Sequence, residues 1–131
     1  MGQNSTEVAY GFGQMGSVFN DGAAVMKPPT GKVFIAITFL ADVSFEAHGG
    51  LVAEQNATAG IEYISTEDAS GNAQTAHDAA DGSETTSTGS GGLVVDNSQV
   101  FPKGLTIYGR WTEIHPTAAD ADGGIIAYIG D

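Results

Sequence analysis

The sequence contains no cysteine, and this absence removes three classes of chemistry at once. A disulfide-stapled scaffold, a cysteine nucleophile and a zinc site built from thiolates all need cysteine. Lysine and arginine are scarce as well, with 4 basic residues against 16 acidic ones and a formal net charge of −12. Because nucleic acids and anionic lipid surfaces are bound through basic side chains, we expect neither a nucleic-acid partner nor a membrane partner.

Long apolar segments are also lacking. The longest apolar run, residues 33–41, includes a threonine and has the length of a β-strand, whereas a membrane-spanning helix needs about 18 or more apolar residues. The first residues show neither the basic nor the apolar part of a secretory signal. We therefore expect no membrane span and no secretion signal.

What the sequence does contain is a series of short strand patterns. The strongest is residues 32–40, where both alternating sets of side chains are apolar. A strand that is apolar on both faces is typical of the centre of a sheet. Strict alternation assigns two faces: Val33, Ile35, Ile37 and Phe39 on one, and Phe34, Ala36, Thr38 and Leu40 on the other.

Further strands are predicted at three short segments bounded by turn or polar residues: 43–47, 51–54 and 61–64. Residues 105–114 and 125–129 also have strand character, and the glycine-containing turn between them predicts a hairpin. Gly109 interrupts the first of these two strands. We expect it to let Trp111 or a neighbouring aromatic side chain pack closely.

Many short strands and no amphipathic helix favour an all-β fold, and a length of 131 residues corresponds to one domain. We predict a single-domain antiparallel β-sandwich or small barrel over residues 1–131. Residues 1–31 are a glycine-rich N-terminal arm in this prediction. Residues 67–92 have no apolar side chain larger than alanine and no lysine or arginine. We therefore expect them to form a long low-complexity surface excursion rather than core.

Patterns for catalysis or metal binding are weak. His48, His77 and His115 lie in separate segments, without the spacing of a metal-binding pair. Asp120 and Asp122 resemble a fragment of a calcium loop that lacks the full series of acids. We interpret them as an acidic turn, with a Ca²⁺ ion shared between subunits as the alternative. The sequence contains no nucleophile elbow, and we expect no enzymatic activity, no cofactor and no resident metal.

Tyr108, Arg110 and Trp111 are the candidate interaction surface. Arg110 is the only arginine in the chain. Its guanidinium could pair with a carboxylate of this chain or of a partner, and it could equally stack on an aromatic neighbour. Four aromatic residues could together build a sugar-stacking surface: Tyr63, Tyr108, Trp111 and Tyr128.

Two blocks of the sequence stand out together. The first is GKVFIAITFLAD at residues 31–42, and the second is LTIYGRWTEI at residues 105–114. The second block is preceded by Pro102-Lys-Gly104 and followed by IIAYI at residues 125–129. This succession resembles small virion structural proteins of tailed bacteriophages, especially marine ones, in which a Gly/Ser-rich middle separates similar blocks.

The resemblance implies a virion component without catalytic residues. The role it implies first is a capsid decoration (cement) protein that binds the outer surface of the head and stabilises it. The implied partners are the major capsid protein or other virion subunits, together with further copies of the chain in a homo-oligomer. The implied location is the virion, assembled in the host cytoplasm, where a chain without cysteine is suited to reducing conditions.

The net charge of −12 suits the outer side of the head, away from packaged DNA. The alternative is a tail-fibre or knob module that binds a receptor or a glycan. In that case the binding surface would be the four aromatic residues named above.

Overall fold

The computed structural model describes residues 15–54, 63–67, 70, 93–117 and 123–131. These residues contain no helix and five β-strands: β1 (Ser17–Asn20), β2 (Val33–Phe39), β3 (Leu51–Ala53), β4 (Thr106–Ile114) and β5 (Ile125–Gly130). Every pair of neighbouring strands is antiparallel, and all five belong to one sheet. The predicted all-β, antiparallel, single-domain fold is confirmed.

The strand order in the sheet is β1-β5-β2-β4-β3. Strand β2 is central, as its two apolar faces predict. It lies between β4 and β5 and pairs with both, so the predicted hairpin of residues 105–114 with 125–129 is wrong. Strand β2, the most apolar, is paired on both sides, and it thereby separates β4 from β5, which follow each other in the sequence.

Strand β2 does not alternate strictly. Its pairing with both neighbours shifts register between Phe34 and Ala36, and such an irregularity changes which side chains share a face. Phe34 therefore joins Ile37 and Phe39 in the hydrophobic core, and all three are 0% exposed. The prediction that placed Phe34 on the face opposite Ile37 is wrong, because period-two counting does not detect an extra residue.

The core lies on one face of the sheet. Strands β2, β3, β4 and β5 contribute most of it, with these buried residues: Phe34, Ile37, Phe39, Leu51, Ala53, Trp111, Ile114, Ile125, Ala127 and Ile129. Met26 and the connection after β2 supply further buried side chains. Connecting segments, rather than described strands of a second sheet, complete the packing against this face.

Residues 40–50 connect β2 to β3, which lie on opposite sides of β4. Val43 pairs with Phe101, just before β4, and Phe45 pairs with Pro116, just after it. Phe39, Phe45 and Phe101 pack together, with the rings of Phe39 and Phe101 stacked at 5.1 Å between centroids. The connection is therefore joined to both ends of β4 and covers the core between them.

The free side of β3 is covered by the segment that leads into the predicted excursion. The backbone N–H groups of Gly50 and Leu51 donate to Oγ1 of the buried Thr66 at 3.0 and 2.9 Å. Val95, on the returning chain, donates its N–H to the carbonyl oxygen of Ser65 at 2.8 Å. The residues on either side of the predicted excursion are therefore hydrogen-bonded to each other. Of residues 67–92 themselves, only Glu67 and Ser70 are among the described residues.

The glycine-rich N-terminal arm is described from residue 15 onwards. Its strand β1 pairs with β5 at the edge of the sheet, and its Met26 is buried and bridges to Ile114. Among the described residues of the chain, no helix is long and apolar enough to cross a membrane.

Candidate interaction surface

Trp111 is a core residue. Strand β4 places it opposite Phe34 on β2 and Ala53 on β3, and its side chain is 0% exposed. Its indole N–H donates to the carbonyl oxygen of Ile64 at 2.8 Å, which satisfies the one polar group of the ring. The predicted surface of Tyr108, Arg110 and Trp111 is therefore not contiguous, because Trp111 points into the protein.

Gly109 makes room for this indole. A Cβ atom at position 109 would lie 2.7 Å from Cζ2 of Trp111, closer than carbon atoms can approach without displacement. The expectation that Gly109 permits close packing of Trp111 is confirmed. A bulge-like irregularity in β4 accompanies this contact, since the pairing of β3 with β4 also shifts next to Trp111.

Arg110 is engaged within the chain. Its guanidinium donates from Nε and Nη2 to the two carboxylate oxygens of Glu54, at 3.3 and 3.0 Å. Nη2 also donates to the carbonyl oxygen of Asp131 at 2.9 Å, and the side chain of Asp131 pairs with Lys32. The fork-shaped contact is the geometry that arginine makes with a carboxylate. Of the two open interpretations of Arg110, the structure supports an intramolecular carboxylate partner.

Tyr108 lies on the face of the sheet opposite the core, which we call the outer face. Residues in register on neighbouring strands share a face. One row across four strands is Ser17, Tyr128, Ala36 and Tyr108, and the next row is Phe19, Ile126, Thr38 and Thr106. None of these eight residues is charged.

The outer face includes two exposed aromatic side chains. Tyr108 is 63% exposed and Phe19 is 58% exposed. Tyr108 and Tyr128 flank Ala36, which is 1% exposed although it lies on this face. Of the four aromatic residues predicted for sugar stacking, Tyr108 and Tyr128 therefore share a face, whereas Trp111 and Tyr63 pack on the core side.

Basic side chains are mostly neutralised by acids of the same chain. Lys27 pairs with Glu113 at 3.4 Å, Lys32 with Asp131, and Arg110 with Glu54. Within the described ranges, Lys103 is the one basic residue without an ion pair. The described surface thus presents little unpaired positive charge to an anionic partner.

The histidines are not brought together. His48 pairs with Glu67 through Nδ1 and Oε2 at 2.9 Å, next to the hydrogen bonds that hold Thr66 on β3. His115 follows β4, and His77 lies outside the described residues, as do Asp120 and Asp122. In the part of the chain that the structure describes, no three metal-ligating side chains cluster.

Two features of this surface were not found in the sequence. Phe19 was overlooked as an exposed residue of the outer face because Ser-Val-Phe-Asn is too short to show an alternating pattern. Thr66 was overlooked as a buried polar residue because its partners, Gly50 and Leu51, are distant in sequence. Hydroxyl side chains give no sequence signal for such a role.

Comparisons with protein-family models, with curated protein sequences and with solved structures gave no significant match to this chain.

Proposed function

We propose that this chain is a non-enzymatic bacteriophage virion structural protein, and specifically a capsid decoration protein that binds the outer surface of the head. The observation that carries the proposal is where the phage-like blocks fall. The blocks at residues 31–42, 105–114 and 125–129 contain β2, β4 and all of β5 except its last residue, and these are three adjacent strands. The resemblance therefore concerns one continuous structural unit rather than scattered strands.

The distribution of charge and apolar surface supports a docking role. Two rows of the outer face combine exposed Phe19 and Tyr108 with no charged residue, in a chain of net charge −12. An uncharged surface with aromatic anchors is typical of the centre of a protein–protein contact. The acidic remainder suits a position away from packaged DNA.

The proposal is tested by adding the purified chain to bare capsids of the virus whose genome encodes it. We expect co-sedimentation with capsids at a fixed ratio to the major capsid protein, and a higher temperature of capsid disruption. Tyr108→Glu should weaken binding, because it places a charge in an apolar contact. The matched control is Thr30→Glu, which adds the same charge at an exposed turn. Absence of the chain from purified virions would contradict the proposal.

Glycan binding by a tail-fibre module is the second candidate, favoured by one observation. Tyr108 and Tyr128 lie in one row on either side of the small residue Ala36, which is a spacing that could hold a sugar ring against aromatic faces. Selective binding on a glycan array that is lost in Tyr108→Ala, with folding intact, would support this candidate over capsid binding. Trp111→Ala is not an informative variant here, since Trp111 is buried.

A further inference from the structure

The two edges of the sheet differ in how they are covered. At one edge, the backbone of β3 is bonded to Thr66: the N–H of Leu51 donates to Oγ1, and the carbonyl of Leu51 accepts the N–H of Thr66 at 2.9 Å. At the other edge, β1 pairs with β5 on its inner side only. Among the described residues, none pairs with the outer side of β1.

The hydrogen-bond phase of β1 identifies which groups face outwards. The N–H of Ile129 donates to the carbonyl oxygen of Gly16 at 2.9 Å, in the same register as the pairing of Ser17 with Tyr128. Bonded and non-bonded pairs alternate in an antiparallel ladder. Gly16 and Val18 therefore bond to β5, whereas the N–H and C=O groups of Ser17 and Phe19 point away from it.

This edge strand is short, with four residues, but it lacks the side chains that commonly protect edges from pairing. Natural edge strands are commonly blunted by lysine, proline or an inward-pointing charge. Strand β1 is Ser-Val-Phe-Asn and contains none of these. Phe19 is 58% exposed, and the outer-face residues beside it are uncharged. As far as the described strands extend, the edge is thus open both to backbone pairing and to apolar contact.

We propose that β1 pairs antiparallel with β1 of a second copy of this chain, around a two-fold axis at Val18. The outward-facing groups of Ser17 in one copy then meet those of Phe19 in the other, and the reverse, as two bonded pairs. Val18 lies opposite Val18 of the second copy in the non-bonded position between them. The contact is isologous, and it joins two five-stranded sheets into one of ten strands.

Charge and register favour a second copy over an unrelated strand. In this register Asp21 lies opposite Met15 of the second copy, so no acid faces an acid. The edge is therefore a place where two chains of net charge −12 can meet without opposing carboxylates. The remaining long-range repulsion is screened by salt. Self-association should consequently strengthen with added salt, whereas pairing with a basic partner would weaken. The inference does not rest on the virion role, because it concerns the isolated chain.

The absence of native cysteine allows a register-specific test. In the proposed dimer the Cα atoms of the two Val18 residues are about 4.5 Å apart, within the range that a disulfide spans. The two Phe19 residues are diagonal neighbours at about 7–8 Å, which is too far for a disulfide without backbone movement. Under mild oxidation, we expect Val18→Cys to form covalent dimers at least about ten times faster than Phe19→Cys.

Random collision would give the opposite order of cross-linking rates, because the side chain of Phe19 is more exposed than that of Val18. Equal rates, or faster cross-linking of Phe19→Cys, would overturn the proposal. Fluorescence of the single tryptophan, which is buried in the native fold, checks that both variants are folded.

A second measurement addresses the backbone directly. Phe19→Pro removes an outward N–H and leaves the bonds to β5 in place, whereas Phe19→Ala removes the ring and keeps the N–H. By light scattering, we expect the unmodified chain to be a dimer that is favoured by salt, Phe19→Pro to be a monomer, and Phe19→Ala to dimerise more weakly than the parent. A parent chain that stays monomeric at high salt and high concentration contradicts the proposal.

Discussion

The indole nitrogen of Trp111 donates a hydrogen bond of 2.8 Å to the carbonyl oxygen of Ile64, and this bond ties β4 to the segment that leads into residues 67–92. The ring is 0% exposed and lies between Phe34 and Ala53 in the register of the sheet. This bond therefore joins the core to the predicted excursion, in addition to the bonds between Thr66 and β3.

Replacing this tryptophan should be costly. Trp111→Phe leaves a cavity and an unpaired carbonyl, and we expect it to lower the free energy of unfolding by about 2–4 kcal/mol. Leu93→Ala is the control, because Leu93 is 75% exposed and a surface change should stay within about 0.5 kcal/mol. Urea unfolding followed by far-UV circular dichroism measures both. Similar values for the two variants would mean that the indole is not packed as described.

The space occupied by Trp111 also sets the identity of residue 109. Gly109→Ala would place a methyl group 2.7 Å from the ring, and we expect a loss of about 1–3 kcal/mol from the displacement that follows. Gly22→Ala is the matched control, because the nearest atom to its Cβ is at 3.6 Å and no positive φ is involved. Thermal unfolding should separate the two variants by several degrees, with Gly22→Ala close to the parent.

Asp96 gives a pH-dependent prediction. The hydroxyl and the backbone N–H of Ser98 both donate to Oδ1 of Asp96, at 2.5 and 2.7 Å, and they lower the pKa of its carboxyl. Because the folded pKa lies below the unfolded value of about 3.9, the contribution to stability is present above that pH. It is lost as the pH falls through the folded pKa.

The hydroxyl group is the larger cause and can be removed alone. We expect Ser98→Ala to raise the pKa of Asp96 towards its ordinary value, and Ser98→Thr, which keeps a hydroxyl, to leave it low. Carboxyl-carbon NMR titration reports the pKa in each variant. An identical pKa in Ser98→Ala and the parent would show that the side-chain hydrogen bond does not act on this carboxyl.

The hydrogen bonds on either side of residues 67–92 lead to a prediction about deletion of this segment. Because Val95 bonds to Ser65 and Thr66 bonds to β3, the chain ends that flank the segment are held by described contacts. Replacing residues 69–92 with a six-residue Gly/Ser linker should preserve the fold. We expect it to raise the free energy of unfolding by about 1 kcal/mol through a smaller loop-closure cost.

Val95→Pro tests the hydrogen bond between the two chain ends that flank the segment. It removes the N–H that donates to Ser65, so we expect it to destabilise the parent and the shortened variant alike. If the shortened chain fails to fold while Val95→Pro leaves the free energy of unfolding unchanged, residues 69–92 rather than the flanking hydrogen bonds stabilise the domain. Differential scanning calorimetry of the four variants distinguishes these results.

Local features of the fold were predictable from the sequence. The two-faced apolar pattern identified β2 as central, and the glycine two residues before Trp111 predicted a close contact. Both depend on residues that are near one another in the chain. Strands β3, β4 and β5 were found for the same reason, to within a residue or two of their ends.

Features that depend on distant partners were not predictable. Strand β2 lies between β4 and β5 because it pairs with both of them. The residues of the turn between β4 and β5 do not indicate that another strand separates the two. Trp111 was predicted as part of an interaction surface from its residue type. Its polar atom can be buried because the indole N–H donates to the carbonyl oxygen of Ile64, which is distant in sequence and near only in the folded chain. The partner of Arg110, Glu54, lies on another segment for the same reason.

The position of β5 has a consequence for synthesis. Strand β5 is the last of the five described strands in the chain, yet it lies between β1 and β2. Until β5 has been translated, β1 and one side of β2 have no partner among the described strands. The sheet therefore cannot assemble progressively from its first strand. Pairings between segments so far apart in sequence are slow to form, so nascent chains should stay sensitive to protease until β5 is available.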